Sequence, residues 1–285
     1  MKIELVAIAK NEGFYIAEWL AYHLSLGFDK ITVFNNDSSD RTAKILELAS
    51  GVYPIEVVNW PTAQGISPQI MAYNYFLKTH RDLDGLVGFI DIDEFVMSRD
   101  GRNPVENLRK IGSDPTVGAV CINQRVFGDS GQSVFGPEPV LKRLPLCAAL
   151  DYREALWVKS FYRLACLERI RVHSSQLKNG RHVHPDGSDV IFADDQPFSK
   201  VVQANFSSMQ LNHYITKTLG EFLEKQKRGD GSAASEKARY ARYTDGFFHN
   251  RQPFINAARC EHTANAANII EECLGEFWSK IAAGS

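Results

Sequence analysis

The first hundred residues alternate short apolar runs with longer helical patterns, and this alternation limits the fold more than any other feature. The apolar runs, rich in β-branched residues, lie at residues 3–9, 31–34, 55–59 and 86–90. Amphipathic helical patterns occupy residues 15–26, 41–49 and 68–80. Strands that alternate with helices in this way form a mostly parallel sheet. We therefore predict an α/β fold with a mostly parallel central sheet.

The chain after about residue 126 is less regular. The segments that we predict there are β-like pieces at residues 157–163 and 170–173, helices at 218–227 and 268–281, and a loop at 229–234. No internal repeat or low-complexity segment separates the two parts. We therefore expect a single domain that covers residues 1–285.

Composition and charge are those of an ordinary globular protein. Hydrophobic residues make up 44% of the chain and charged residues 23%, which argues against a disordered chain. The formal net charge of −2 gives no general attraction for nucleic acid, so no nucleic-acid partner is expected. The five cysteines are widely spread without a CxxC pair, and we interpret them as reduced core residues.

The amino terminus and the hydropathy of the chain predict a cytoplasmic location. The first residues lack the long apolar segment of a signal peptide. No run reaches the roughly 18 apolar residues that a membrane span needs. Peripheral association with a membrane leaves no such mark in a sequence, so it stays open.

Two aspartates follow directly on a buried strand pattern. Asp91 and Asp93 come after the apolar residues 86–90, which places them at the carboxyl end of a parallel strand, where open α/β sheets bind ligands. Two neighbouring carboxylates can hold Mg²⁺ or Mn²⁺ together with phosphate oxygens of a ligand. The alternative is a solvated acidic turn.

Two further polar segments end neighbouring predicted strands. Lys10, Asn11 and Glu12 follow the first strand, and Asn36 follows the second. Because parallel strands end at the same sheet edge, these side chains should lie near Asp91, as a polar rim suited to a nucleotide base and ribose. Helix caps and turns use the same residue types, and both interpretations stay open.

The second half adds isolated candidates. His173 and His213 each follow a short apolar piece, and either could supply a third metal position, although a lone histidine is more often structural. Lys159 and Arg163 could contact phosphate, with solvated surface charge as the alternative.

With these residues identified, the chain resembles the GT-A glycosyltransferases, and within them the bacterial family-2-like group related to glycosyltransferase family 92. The resemblance rests on an ordered set of short motifs between about residues 5 and 230. The set consists of residues 9–12 (AKNE), 16–20 (IAEWL), Tyr22, His23, Gly27, residues 36–42 (NDSSDRT), Gln69, residues 88–95 (GFIDIDEF), Lys159, Arg163, His173, His213, Tyr214, Lys217, Glu221, Phe222, Lys225, Arg228 and Gly229.

The resemblance implies a GT-A, Rossmann-like fold and a sugar transfer. Residues 1–125 would form the nucleotide-sugar-binding half, and residues 126–285 the acceptor-side half with its carboxyl-terminal helices. The implied donor is a nucleotide-sugar, usually a UDP-sugar. The implied acceptor is a carbohydrate or a lipid-linked glycan, and the implied cofactor is Mn²⁺ or Mg²⁺.

The resemblance also implies roles for single residues. Asp91 and Asp93 would serve the metal and the diphosphate, with His213 as the first choice and His173 as the second choice for a further metal ligand. The implied donor-contacting residues are Lys10, Asn11, Glu12, Asn36, Gln69, Asp91, Lys159 and Arg163.

The general base is the least determined role. Relatives in this group mostly invert the anomeric carbon, which requires a carboxylate that takes the proton of the acceptor hydroxyl. Asp129, Asp194, Asp195 and Glu221 are the candidates in the second half. Sequence order places none of them within hydrogen-bond reach of an acceptor.

Two other functions stay open. A nucleotidyltransferase also joins carboxylates to a metal and phosphates, but the turn at residues 9–13 lacks the glycine-rich phosphate loop expected there. A non-catalytic carbohydrate-binding protein on a degenerate GT-A fold is the second alternative, and the intact Asp91 and Asp93 argue against it.

Overall fold

The structure is a computed structural model that describes residues 1–63, 65–173, 175–229, 233 and 236–284. Most of the loop predicted at residues 229–234 lies outside the described residues. The strands are β1 (Lys2–Ala9), β2 (Lys30–Asn35), β3 (Ile55–Asn59), β4 (Gly85–Phe89), β5 (Glu94–Ser98), β6 (Val117–Val126), β7 (Leu146–Cys147), β8 (Val158–Tyr162), β9 (Arg181–Val183), β10 (Met209–His213) and β11 (Ala258–Arg259). The helices are α1 (Ile16–Ser25), α2 (Thr42–Ser50), α3 (Pro68–Thr79), α4 (Pro104–Gly112), α5 (Val140–Arg143), α6 (Leu219–Arg228), α7 (Glu236–Ala241), α8 (Asp245–His249), α9 (Gln252–Ile255) and α10 (His262–Gly284).

One large sheet organises the described part of the chain. Its nine strands follow the order β3-β2-β1-β4-β8-β6-β10-β5, with β9 beside β6. The pairs among β1 to β4 are parallel, as are those of β6 with β9 and with β10. Strand β8 is antiparallel to β4 and β6, and β5 is antiparallel to β10. The predicted α/β class with a mostly parallel sheet is confirmed.

Helices cover both faces of this sheet. Side chains alternate between the faces along a strand, so Ile3 and Leu5 of β1 enter one core while Val6 enters the other. The first core packs against α1 and the long α10, and the second packs against α3. The sheet is therefore the middle of three layers, and its strand ends are left accessible at the edge.

Local chemistry sets several helix ends. Helix α1 is followed by Gly27, whose φ of +86° is the left-handed conformation that glycine adopts most easily. Ser67 caps α3 by accepting a hydrogen bond from the backbone of Ile70, and Thr218 forms a capping box with Glu221 at the start of α6.

The structure corrects one predicted strand. Residues 170–173 form no strand, because the polar backbone groups at the start of this segment are bonded to side chains. The Asn74 side chain binds both backbone groups of Ile170, at 2.9 and 3.0 Å, and the backbone N–H of Arg171 donates to Ser175 Oγ at 2.8 Å. The final helix also begins earlier than predicted, at His262. None of the described helices is both long enough and apolar enough to cross a membrane.

Candidate active site

A cleft, here called the central cleft, lies at the carboxyl ends of β1, β2 and β4 and beside the end of β10. It encloses about 940 Å³, counting space that is open to solvent. Eight residues predicted from the sequence line it together, namely Lys10, Glu12, Asn36, Gln69, Asp91, Asp93, His173 and His213. Its other lining residues are Ile8, Ile92, Glu94, Val172, Ile215, Lys225, Arg228, Gly229, Arg242 and Tyr243.

The turn between β4 and β5 carries the two aspartates into this cleft. The backbone N–H of Glu94 donates to Asp91 O at 3.0 Å and closes the turn. Strand β4 pairs with β1, whereas β5 pairs with β10, so the turn lies where the chain changes its neighbours. Asp91 and Asp93 consequently face side chains from distant parts of the sequence.

Both oxygens of Asp91 already have partners. Gln69 Nε2 donates to its Oδ1 at 2.5 Å, and Lys159 Nζ lies 3.0 Å from its Oδ2. The Lys159 side chain is fully enclosed, and its ammonium group also lies 3.3 Å from Glu94. Lys159 therefore lies below the surface of the cleft, where its positive charge stabilises the acidic turn.

Glu94 is a buried member of the site to which the sequence assigned no role. Its Oε2 accepts from the backbone N–H of Asp91 at 2.9 Å, and its Oε1 accepts from Gln124 Nε2 at 3.0 Å. Burial raises the pKa of Glu94 to about 8; Lys159 opposes this rise, and the charges of Asp91 and Asp93 add to it. The only sequence signal was its place in the run Asp91 to Glu94.

Asp93 has one oxygen engaged and one presented to the cleft. Lys225 Nζ lies 2.7 Å from Oδ2 and also donates to Ile215 O at 2.9 Å. Oδ1 faces His213 Nε2 at 3.7 Å. Burial alone would raise the pKa of Asp93, but the positive charges around it, above all Lys225, hold that pKa below its usual range.

The hydrogen bonds of His213 indicate which ring nitrogen is free. Gln124 uses its amide nitrogen on Glu94, so its Oε1 is left to accept from His213 Nδ1, 3.4 Å away. This assignment places the proton on Nδ1 and turns the lone pair of Nε2 toward Asp93 Oδ1. Burial lowers the pKa of His213 to about 3, which favours the neutral ring that can ligate a metal.

Two facing acceptor atoms of this kind suit a cation. Mg²⁺ bonds to oxygen measure about 2.0–2.1 Å, so two neighbouring ligands of one octahedral ion lie about 3 Å apart. The 3.7 Å between Asp93 Oδ1 and His213 Nε2 needs only a small closure to reach that spacing. Across the described residues, no cluster of three His, Cys, Asp or Glu side chains reaches metal-binding spacing. The pair thus offers two ligands, and phosphate oxygens and water would have to complete the shell.

His173 forms another part of the cleft wall. Its ring packs on Trp157 with the ring centroids 4.8 Å apart. Its Nδ1 is buried with no hydrogen-bond partner among the described residues. Burial, together with the charges of Lys159 and Arg242, lowers the pKa of His173 to about 3. These surroundings favour the neutral form of His173, and its Nδ1 has no bond within the described part of the chain.

Basic side chains line the cleft beside the acidic turn. Helix α6 directs Lys225 and Arg228 into the cleft, since side chains three positions apart share one helix face. Arg228 pairs with Glu12 at 2.5 Å and donates to Lys10 O at 2.9 Å. The i, i+3 spacing on an amphipathic helix was a usable signal for both residues, whereas the sequence carried no signal for Arg242.

Three predicted donor contacts do not line the central cleft, because Lys159 is enclosed beneath it and two others lie elsewhere. Asn11 occupies the adjoining turn, where its Oδ1 accepts from the backbone N–H of Ser39 at 2.8 Å. Arg163 donates to Gly112 O at 2.8 Å and to Val117 O at 3.3 Å. Val117 begins β6, so Arg163 lies at the sheet edge opposite the central cleft.

The structure does not bring Asp129, Asp195 or Glu221 to the described walls of the central cleft. Asp129 Oδ1 accepts from Asn256 Nδ2 at 2.8 Å, and Asp195 is exposed beside Lys200. Glu221 forms a buried ion pair with Arg143. Asp194 is likewise exposed.

A mostly parallel α/β sheet with acidic and basic side chains gathered at its strand ends defines the class of α/β proteins that bind ligands at that edge. Sequence comparison narrows this class to the glycosyltransferases. A model of glycosyltransferase family 92 matches residues 9–244, and the chain belongs to that family.

The curated relatives of this chain are longer than it is. A glycosyltransferase family 92 protein from Ricinus communis is 28% identical over 187 residues, which cover 64% of this chain and 33% of that protein. One from Oryza sativa subsp. japonica is 26% identical over 125 residues, which cover 44% of this chain and 21% of that protein. The chain thus spans between about a fifth and a third of the length of these relatives.

Similarity to solved structures is weak. The crystal structure of S. aureus TarS 1-349 aligns with a TM-score of 0.45 and 15% identity, over 100% of this chain and 89% of that one. A score of this size carries no weight for function. The relatives reported above are plant proteins, so the bacterial part of the predicted resemblance stays a prediction.

Proposed function

We propose that this chain transfers a sugar from a nucleotide donor, a UDP-sugar, to a hydroxyl group of a carbohydrate or lipid-linked glycan. One observation carries the proposal. Asp93 Oδ1 and His213 Nε2 present facing acceptor atoms 3.7 Å apart, in a cleft that also contains Lys225 and Arg228. Family membership is the independent support for sugar transfer.

The metal of the proposed site is Mn²⁺ or Mg²⁺, and Asp93 and His213 would hold it. A bound divalent ion supplies positive charge that neutralises a leaving diphosphate. Lys225 fixes Oδ2 of Asp93 and thereby orients Oδ1 toward His213. Gln124 fixes the ring of His213, as hydrogen-bonded partners of metal ligands commonly do. Asp91, whose oxygens are engaged by Gln69 and Lys159, would add negative charge next to this pair.

The nucleoside would lie at the ends of β1 and β2. Glu12 Oε2 is buried without a partner among the described residues, and it could accept a ribose hydroxyl. Asn36 Nδ2 donates to Trp60 O and Thr62 Oγ1, at 2.9 and 3.0 Å. The Asn36 Oδ1 atom would therefore accept a hydrogen bond from the nucleotide base.

The proposed reaction is an inverting displacement. The acceptor oxygen forms a bond to the anomeric carbon as the bond from that carbon to the diphosphate breaks. The diphosphate keeps the bonding electrons, and a base takes the acceptor proton. Lys10, Arg228 and Arg242 would stabilise the charge that develops on the diphosphate. Because Asp129, Asp195 and Glu221 lie away from the described cleft walls, we assign the base to none of them.

A donor screen tests this proposal. The purified chain would be incubated with Mn²⁺ and a panel of UDP-, GDP- and CMP-sugars, and the released nucleotide would be measured. We expect UDP from one UDP-sugar above the buffer rate. Pyrophosphate release from a nucleoside triphosphate would favour the nucleotidyltransferase instead. Glycan binding without any donor turnover would favour the non-catalytic binding protein.

A further inference from the structure

A second cleft, here called the aromatic cleft, adjoins the central cleft. Tyr152, Phe247 and Phe254 line it together with the polar residues Asp151 and Asn250. Arg242 lines both clefts, so a ligand in the aromatic cleft would lie next to a ligand in the central cleft. All of these residues lie within residues 126–285, the half to which the resemblance assigns the acceptor.

Phe254 is the main apolar surface of the aromatic cleft. Its side chain is 58% exposed, although burying a phenyl ring is normally favourable. Its ring lies within 13° of parallel to that of Tyr152, with the centroids 6.2 Å apart. An exposed and oriented aromatic ring inside a cleft is suited to stacking against a ligand.

The side chains around Phe254 are held in place by contacts with one another. Arg251 lies over the ring of Phe247 at 4.1 Å and is held by Glu154 at 2.6 Å. The Phe247 ring also stacks on buried Phe222, with the centroids 6.0 Å apart. No described cation lies over Phe254 itself, so its ring face is not taken up by a neighbouring charge.

The polar rim complements this ring. A pyranose has an apolar face of C–H groups and an edge of hydroxyl groups, so it fits a site with an aromatic face and hydrogen-bonding side chains beside it. Asp151 is exposed, and its carboxylate has no partner among the described residues. Asn250 adds an amide that both donates and accepts.

We infer that the aromatic cleft binds the acceptor glycan, with a neutral sugar stacked on Phe254 and its hydroxyl groups bonded to Asp151. The role of this glycan as acceptor rests on the proposed function. Glycan binding itself requires no turnover, so it can be measured separately.

A second exposed aromatic pair provides the contrast. Phe14 is 62% exposed and packs against Phe135 with the centroids 4.8 Å apart. Arg41 lies over Phe14 at 4.6 Å, and Arg143 lies over Phe135 at 5.6 Å. Guanidinium groups thus cover these two rings, and Phe14 serves as the matched control for Phe254.

The test is binding of the labelled full chain to an array of neutral glycans. We expect Phe254→Ala to weaken binding to the glycan that wild type prefers by about tenfold, the usual scale of one aromatic contact. Asp151→Asn should weaken it as well, while Phe14→Ala should leave it unchanged. Methyl and octyl glycosides of the bound sugar, used as competitors, distinguish a free glycan from a lipid-linked one.

Two results would overturn the inference. One is that no neutral glycan binds to wild type, and the other is that Phe254→Ala and Asp151→Asn both bind as wild type does. Thermal unfolding verifies that each variant is folded, and Asp151→Asn is the decisive variant if Phe254→Ala does not fold. Glycan binding that Phe254→Ala weakens, in a protein that never binds UDP, would uphold the aromatic cleft and contradict the donor site.

Discussion

At the scale of single residues, most carboxylates of the central cleft are matched by their own cation. Lys159 forms an ion pair with Asp91, Lys225 with Asp93, and Arg228 with Glu12. Such pairs keep buried charges compensated before a ligand arrives. A diphosphate and a divalent ion that enter together bring charges of both signs, so they can bind without leaving the cleft strongly charged.

Asp93→Asn should remove the metal-dependent part of UDP binding. The amide is neutral and can present a nitrogen instead of Oδ1 to the cleft, so the partner of His213 is lost. The measurement is the thermal shift caused by UDP with and without Mn²⁺. Asp195→Asn is the control, because Asp195 is exposed and lies outside the central cleft. Survival of the Mn²⁺-dependent shift in Asp93→Asn would remove Asp93 from the metal site.

Lys225→Met should destabilise the ligand-free protein and make Mn²⁺ stabilising. The side chains of Lys225 and Asp93 are only 11% and 10% exposed, so the variant leaves a carboxylate buried without its main counter-charge. Breaking a buried pair typically costs about 3–5 kcal/mol. Urea unfolding with and without Mn²⁺ measures both effects.

Lys227→Met is the control for this variant. Lys227 lies on the same helix, but its pair with Glu224 is exposed on both sides. Equal unfolding free energies for the two variants would show that the buried Lys225–Asp93 pair stabilises the fold no more than the exposed Lys227–Glu224 pair does.

The sequence identified those site residues that follow directly on a strand. Lys10, Glu12, Asn36 and Asp91 were predicted at one sheet edge because parallel strands end together, and they do line one cleft. Arg242 and Asp151 could not be found in this way. They lie outside the regular strands, so their positions depend on packing rather than on local pattern.

At the scale of elements, two of the strands missed from the sequence pair with each other across a long sequence distance. Strand β10, Met209–His213, pairs with β5, Glu94–Ser98, more than a hundred residues earlier. The stability of both strands comes from the partner strand rather than from local preference. The β-α alternation of the first half was visible because each strand lies next to a helix in sequence.

Helix α1 carries a buried histidine that should make stability depend on pH. His23 donates from Nδ1 to Trp19 O at 2.8 Å, and burial lowers its pKa to about 3, opposed by that carbonyl. Below about pH 6.5, His23 takes up a proton in the unfolded chain but stays neutral in the folded chain. Stability is therefore lost as pH falls from about 6.5 toward 3, by about 1.4 kcal/mol per pH unit.

Urea unfolding between about pH 6.5 and pH 5 checks this dependence. His23→Gln should show a shallower loss of stability than wild type. His249→Gln, an exposed control on α8, should follow wild type. An unchanged slope in His23→Gln would show that His23 does not cause the acid sensitivity.

At the scale of the whole molecule, residues from both halves of the sequence meet in one sheet and one cleft. Asp93 precedes residue 125 and His213 follows it, yet they face each other at 3.7 Å. The division into a donor half and an acceptor half therefore stays a prediction about ligands. The central cleft forms only when both halves pack together. Metal and nucleotide binding should therefore be lost in the same unfolding transition as the folded structure.

Isothermal titration calorimetry of UDP against the full chain, with and without Mn²⁺, tests the proposed nucleotide-sugar site most directly. We predict that UDP binds and that Mn²⁺ tightens its binding by about tenfold or more, a change of about 1.4 kcal/mol. If UDP gives no binding to the folded chain even with Mn²⁺, that result contradicts the proposed site.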